Sequence, residues 1–162
     1  MDLKDIIAIR GKGDLFRVIS KSPKGIIVET LNEKKTKFKV QPNLHVLILN
    51  DITIFSKDGS DFFLSDVFLR FYKKDVLKLS ITPKTEPNKI KEYFKEVVID
   101  HDEEKVYISD MKKMIKWYNV IAEIYPDVIK ELEEVEKKEK EAEEKKKEVE
   151  NKESEEKPEG GK

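Results

Sequence analysis

The sequence has no cysteine, and only two histidines and one tryptophan among its 162 residues. Disulfides and thiolate-bound metals are thereby excluded, and two histidines leave little material for a metal site or an acid–base pair. No stretch approaches the roughly 18 consecutive apolar residues of a membrane helix. The start, Met1-Asp2-Leu3-Lys4-Asp5, lacks the basic and apolar segments of a signal peptide. A cytoplasmic protein without a membrane span is the expectation. Glycine is scarce, at six residues, and neither a Walker-type Gly-Lys-Ser/Thr nor a Gly-x-Ser-x-Gly elbow occurs. Gly11 and Gly13 have the spacing of half a dinucleotide fingerprint, but Phe16 stands where the third glycine belongs and a strand pattern follows. They read as an ordinary hairpin connection, and no cofactor is expected.

Charge is abundant: 41% of residues are Asp, Glu, Lys or Arg, against about 25% in ordinary globular domains. The excess lies at the end, where residues 127–162 carry 15 acids and 10 bases while residues 1–126 carry 19 acids and 23 bases. The body is mildly basic and the tail acidic.

Residues 1–58 show short β-branched runs broken by turn residues, the pattern of strands. The runs are residues 6–9, 15–20, 26–31, 36–40 and 52–55, with an ambiguous apolar stretch at 45–49. Ser22-Pro23-Lys24-Gly25 and Asn32-Glu33-Lys34-Lys35 are the turns between them. Phe16, Val18, Ile26, Val28, Phe38, Val40 and Ile52 are the candidate core of a small SH3-like antiparallel barrel. A β unit this small leans on whatever follows it.

Residues 59–126 carry three apolar stripes of helical period. Leu64, Val67, Phe68, Phe71 and Tyr72 form the first, with Ser65 or Asp66 as cap. Ile90, Tyr93, Phe94, Val97 and Val98 form the second, opened by Pro87. Met111, Met114, Ile115, Tyr118, Ile121, Ala122 and Tyr125 form the third, capped by Ser109 and Asp110, with a short strand expected at 106–108. The fold class is α+β: barrel, three-helix region and charged tail. Pro126 breaks the third helix. Beyond it Glu-to-Lys pairs four residues apart support a solvated helix to about Glu150, followed by disorder.

Four places invite a functional reading. Asp100-His101-Asp102-Glu103-Glu104 resembles the start of a calcium loop, but Lys105 replaces the turn glycine and Met111 the bidentate glutamate, so a solvated acidic loop and no metal are expected. His45, in an apolar run, reads as a partly buried or boundary side chain. Lys34, Lys35, Lys37 and Lys39 form a candidate polyanion patch, although alternation turns Phe38, the aromatic needed for base stacking, to the opposite face. On the third helix Trp117, Val120 and Ile124 widen the apolar arc beyond half the circumference. Either this helix is central or that face meets a partner; the small size of the chain favours the central placement.

The Asp2-Leu3-Lys4 start, Gly11-Lys12-Gly13, Leu15-Phe16, Gly25 with Ile27-Val28-Glu29, Asp51-Ile52, Tyr93-Phe94 and Val106-Tyr107-Ile108-Ser109-Asp110-Met111-Lys112-Lys113 running into Lys116-Trp117-Tyr118-Asn119 carry a resemblance. Over residues 1–125 the chain resembles an uncharacterised bacterial family, a domain of unknown function with an SH3-like front half and a helical second half. The resemblance implies that both halves travel as one unit and brings no activity or catalytic residue. A non-catalytic binding or adaptor module acting on a protein partner is the leading expectation. An RNA-binding or ribosome-associated barrel using the hairpin at residues 34–39 is the alternative.

Overall fold

The computed structural model describes residues 1–156, so part of the stretch expected to be disordered lies outside the described residues. Met1–Lys130 form one compact unit, and the chain from Glu131 onward forms another.

The first unit opens with a five-stranded antiparallel sheet of β1 (Ile6–Ile9), β2 (Leu15–Ser22), β3 (Gly25–Thr30), β4 (Lys37–Val40) and β5 (Val46–Ile48), in the order β4-β3-β2-β1-β5. Pro23 and Lys24 make the β2–β3 connection. Gly25 takes φ +133°, where an added Cβ would sit 2.6 Å from the Val40 carbonyl oxygen. Ile7, Ile9, Phe16, Val28 and Val40 form a buried cluster on one face, with Val18, Ile26, Phe38, Val46 and Ile48 packed against it. Val40 and Val46 belong to opposite edge strands, which a flat sheet of this order would hold about 19 Å apart at the usual strand spacing. Yet both line one pocket, together with Ile26, so the sheet is bent. It is nevertheless open: β4 and β5 do not pair, and the closed barrel expected from the sequence does not form.

The expected strand at 52–55 does not join this sheet. It shortens to β6 (Thr53–Ile54), which pairs with β7 (Phe62–Phe63) in a separate ribbon. Ile52 is half-buried. All four residues of β1 are buried, so both of its faces are covered. Leu49–Asp51 form a 3-10 turn that packs against β1 and also meets the first helix.

Among the described residues four helices follow instead of three: α1 (Leu64–Asp75), α2 (Pro87–Val97), α3 (Ile108–Ile124) and α4 (Pro126–Glu156). The expected stripes supply the buried residues of α1 to α3 apart from Leu69, while Tyr72, Val97 and Tyr125 are only half-buried. Phe71 lies at the middle of an aromatic cluster, with ring centroids 5.5 Å from Tyr118, 5.6 Å from Phe94 and 5.8 Å from Tyr93. The caps differ from expectation. Asp66 Oδ2 accepts from the Phe63 amide and Asp110 Oδ2 from the Tyr107 amide, so each aspartate reaches back from the first turn. The strand expected at 106–108 is absent because Ile108 already begins α3.

Pro126 separates α3 from α4, whose Val128 and Ile129 are buried within the first unit. From Glu131 the helix is largely exposed, with ion pairs at Glu133–Lys137 and Glu136–Lys140, and it continues through Asn151 to Glu156, beyond the expected end. Removal of residues 136–162 is expected to shift the melting midpoint by less than about 2 °C, since exposed ion pairs contribute ~0–1 kcal/mol each. Differential scanning calorimetry of the truncated chain beside the full one checks this.

One backbone position is strained. Val76 ends α1 at φ +60°, ψ −124°, a region that favours glycine and strains a β-branched residue. The position is held by the Val76 amide, which closes the helix by donating to the Tyr72 carbonyl, and by the Tyr118 hydroxyl donating to the Val76 carbonyl. The Val76 side chain is exposed. Val76→Gly is therefore expected to stabilise the protein by about 1 kcal/mol in urea unfolding, with no such gain for Val76→Ala.

Candidate functional site

The two edges of the bent sheet are treated differently by the sequence. At β4, Lys37 and Lys39 are exposed, and Lys34 and Lys35 are exposed on the turn before it. Asn32 builds that turn, its Oδ1 accepting from the Lys34 and Lys35 amides at 3.1 Å each. Phe38 lies on the other face, edge-on to Phe16 at 5.3 Å and beneath Lys12 at 5.2 Å. The lysines thus have no aromatic beside them on their own face. Lysines on an edge strand also deter pairing with other chains.

The β5 edge carries no charge. Beside it runs an apolar groove of about 550 Å³, lined by Val46, Leu47 and Ile48, by residues 51–55, and by Lys105, Val106, Asp110, Lys113, Met114 and Trp117. Leu47 and Phe55 are about half exposed, at 51% and 49%, while Val106 and Met114 are buried. Thr53 and Phe63 are directly opposed in the β6–β7 ribbon, so Phe55, Thr53 and Phe63 share one exposed face.

Of the three residues singled out on α3, Trp117 lines the groove and Val120 and Ile124 do not; all three are half-buried. α3 is fastened to the sheet by Lys116, whose Nζ donates to the Gly13 carbonyl at 2.6 Å. Lys105 lies 5.4 Å from the centre of the Phe55 ring. The groove's β5 wall was missed in the sequence because a three-residue strand is too short for a periodicity. The width of the α3 apolar arc was the signal that led to Trp117.

The acidic loop is a structural junction. His101 is 1% exposed, its Nδ1 bonded to the Val98 carbonyl at 2.5 Å and its ring edge-on to Phe94. Ser56 and His101 form an isolated bridge, flanked by the Lys57 amide donating to Asp100 O and the Asp102 amide to Phe55 O. The Asp100 carboxyl, exposed as expected, pairs with Arg70, which lowers its pKa, while Asp102 Oδ1 accepts from the Glu104 and Lys105 amides. His45, expected to be partly buried or at a boundary, is exposed.

Neighbouring Asp58 receives the Ser56 and Ser60 hydroxyls at 2.5 and 2.6 Å, and these bonds hold its pKa at about 2. Elsewhere burial raises the Asp75 pKa, but bonds from Ser80 and the Tyr93 hydroxyl outweigh it and leave the group below its usual value. Each displaced carboxyl is thus held by a structural partner. Because the Asp58 pKa is depressed on folding, its contribution to stability is complete above the unfolded value of 3.8 and is lost as pH falls through about 2. A carboxyl-detected NMR titration is expected to give a midpoint near 2 for Asp58 and a rise toward 3.8 in Ser56→Ala.

Comparison with known proteins yields two family matches, both described as domains of unknown function: DUF5606 over residues 3–49 and DUF6852 over residues 52–121. A solution NMR structure of a Bacteroides vulgatus protein, a structural genomics target, is similar at 33% identity and a TM-score of 0.60, covering 74% of this chain and 85% of that one. No curated protein matches. No helix among the described residues is long and apolar enough to cross a membrane.

Proposed function

This chain belongs to the family that joins these two domains of unknown function, and from that premise we propose that it is a non-catalytic binding module whose groove takes a segment of a protein partner. The observation that carries this reading is the juxtaposition of an uncharged sheet edge, Val46–Ile48, with an apolar groove walled by Met114 and Trp117. Groove volumes of 300–1,000 Å³ suit small ligands and short chain segments, and a half-buried tryptophan at the wall is the residue type most often found at binding hot spots. The meander with its fifth strand returned beside the first supports an SH3-like sheet, opened on the side where the partner enters. A cysteine-free chain suits the reducing cytoplasm. RNA, as the alternative partner, would use Lys34, Lys35, Lys37 and Lys39, but the inward Phe38 gives bases nothing to stack on there.

Selection of a random twelve-residue peptide library on the full chain tests the reading. Selected peptides are expected to bind wild type and to lose about 30-fold in Trp117→Ala or Leu47→Asp, equivalent to about 2 kcal/mol, while both variants keep a cooperative melt. Their affinity should change only a few-fold between 50 and 200 mM salt. Recovery of no groove-dependent peptide, together with binding of a single-stranded RNA oligonucleotide that falls about 50-fold over that salt range and is lost on replacing the four lysines by alanine, would move the function to the β4 edge.

A further inference from the structure

The order in which residues line the groove says what shape of ligand it takes. Val46, Leu47 and Ile48 all line it, although Val46 and Ile48 pack on the sheet's internal cluster and Leu47 points the other way. Three consecutive residues of a strand border one groove only if the groove follows the strand's backbone edge. The hydrogen bonding of β5 to β1 shows which main-chain groups face that edge. The register pairs Ile9 with Val46, Ala8 with Leu47 and Ile7 with Ile48, and the Arg10 amide donates to the His45 carbonyl at 3.0 Å. Arg10 and His45 are therefore a hydrogen-bonded pair, and alternation makes Ala8 and Leu47 the next one. The amides and carbonyls of Val46 and Ile48 consequently point away from β1, toward an edge where no strand pairs among the described residues.

The charges at the rim are unequal in their availability. Asp110 already accepts from the Tyr107 amide, and the remaining carboxylate, Asp51, lies on the turn that follows β5. Lys105 and Lys113 are exposed and have no carboxylate partner among the described residues. The side of the groove formed by α3 and the residue run before it therefore offers a ligand two ammonium groups that no carboxylate neutralises, that of Lys105 lying over the Phe55 ring.

Resting on the groove reading above, we propose that the occupant is an extended apolar segment of a partner protein, flanked by carboxylates, which joins the sheet as a sixth strand on β5. Its main chain pairs with Val46 and Ile48, alternate side chains enter the groove toward Met114 and Trp117, and its carboxylates meet Lys105 and Lys113. A second folded copy of this chain fits less well, because a stable dimer needs about 800 Å² from each partner and β5 offers only three residues beside a concave wall. A nucleic-acid strand lacks the amide and carbonyl ladder that this edge matches.

The test uses the full chain, labelled with nitrogen-15, and a capped peptide with a valine-valine-phenylalanine-valine core between paired glutamates. Two further peptides carry N-methyl groups on alternate core residues, one in each register, and a fourth has lysine in place of glutamate. At saturation the parent peptide is expected to slow exchange of the Val46 and Ile48 amides at least tenfold. One N-methylated register should bind at least tenfold more weakly while the other keeps its affinity, since only one edge of an added strand faces β5. The lysine peptide should bind at least fivefold more weakly, and the double variant Lys105→Glu, Lys113→Glu should reverse that preference. Equal binding of both N-methylated peptides, with the Trp117 indole perturbed but Val46 and Ile48 unprotected, overturns strand addition and leaves the groove reading standing. Absence of any response to the parent peptide at millimolar concentration also overturns it, and the library selection then decides the groove reading separately.

Discussion

The first unit depends on β1 being buried on both faces. Ile6, Ile7, Ala8 and Ile9 are at most 6% exposed, so a strand that alternation would make half-wet is instead shared between two apolar surroundings. Ile7 and Ile9 belong to the cluster inside the bent sheet. Ile6 and Ala8 are covered on the other face, on the side that the Leu49–Asp51 turn and α1 complete. Neither a small β unit nor a three-helix layer has much core alone. One strand serving both explains why two family descriptions meet between residues 49 and 52 of a single compact unit.

The arrangement also accounts for the position of the groove. β5 pairs with β1 on one side only, the chain then turns through Leu49–Asp51, and β6 departs to pair with β7. The sheet stays open where β6 leaves it, and α3, fastened at Lys116 to the β1–β2 turn, forms the opposite wall. The groove is thus the space left where one edge of the sheet is neither closed on itself nor covered by a helix.

The long periodic elements were legible in the sequence, and the short ones were not. Stripes such as Val67, Phe68 and Phe71, or Met114, Ile115 and Tyr118, give a helical period over many residues and are buried as read. β5 has three residues and β7 two, fewer than one full alternation can define. Barrel closure was over-read because strand count says nothing of whether the two edge strands meet. Ser65 or Asp66, and Ser109 with Asp110, are the caps the sequence offers; the aspartates alone serve, by reaching back to the amides of Phe63 and Tyr107. His101 was hidden by its acidic neighbours: its burial comes from Ser56 and Phe94, each far from it in some measure of sequence or on another element. The groove joins residues 46–55 to residues 105–117, and no local pattern reports that meeting.

The unequal edges of the sheet have a consequence for assembly. β4 presents Lys37 and Lys39, which discourage any neighbour, whereas β5 presents bare backbone and apolar side chains. Sheet growth from such a molecule is one-sided. The outer backbone of β4 is unpaired as well, but a further copy continuing the row there would have to bury or crowd Lys37 and Lys39, so charge opposes head-to-tail propagation at that end. Copy-to-copy growth through the sheet therefore meets the β4 lysines at every junction.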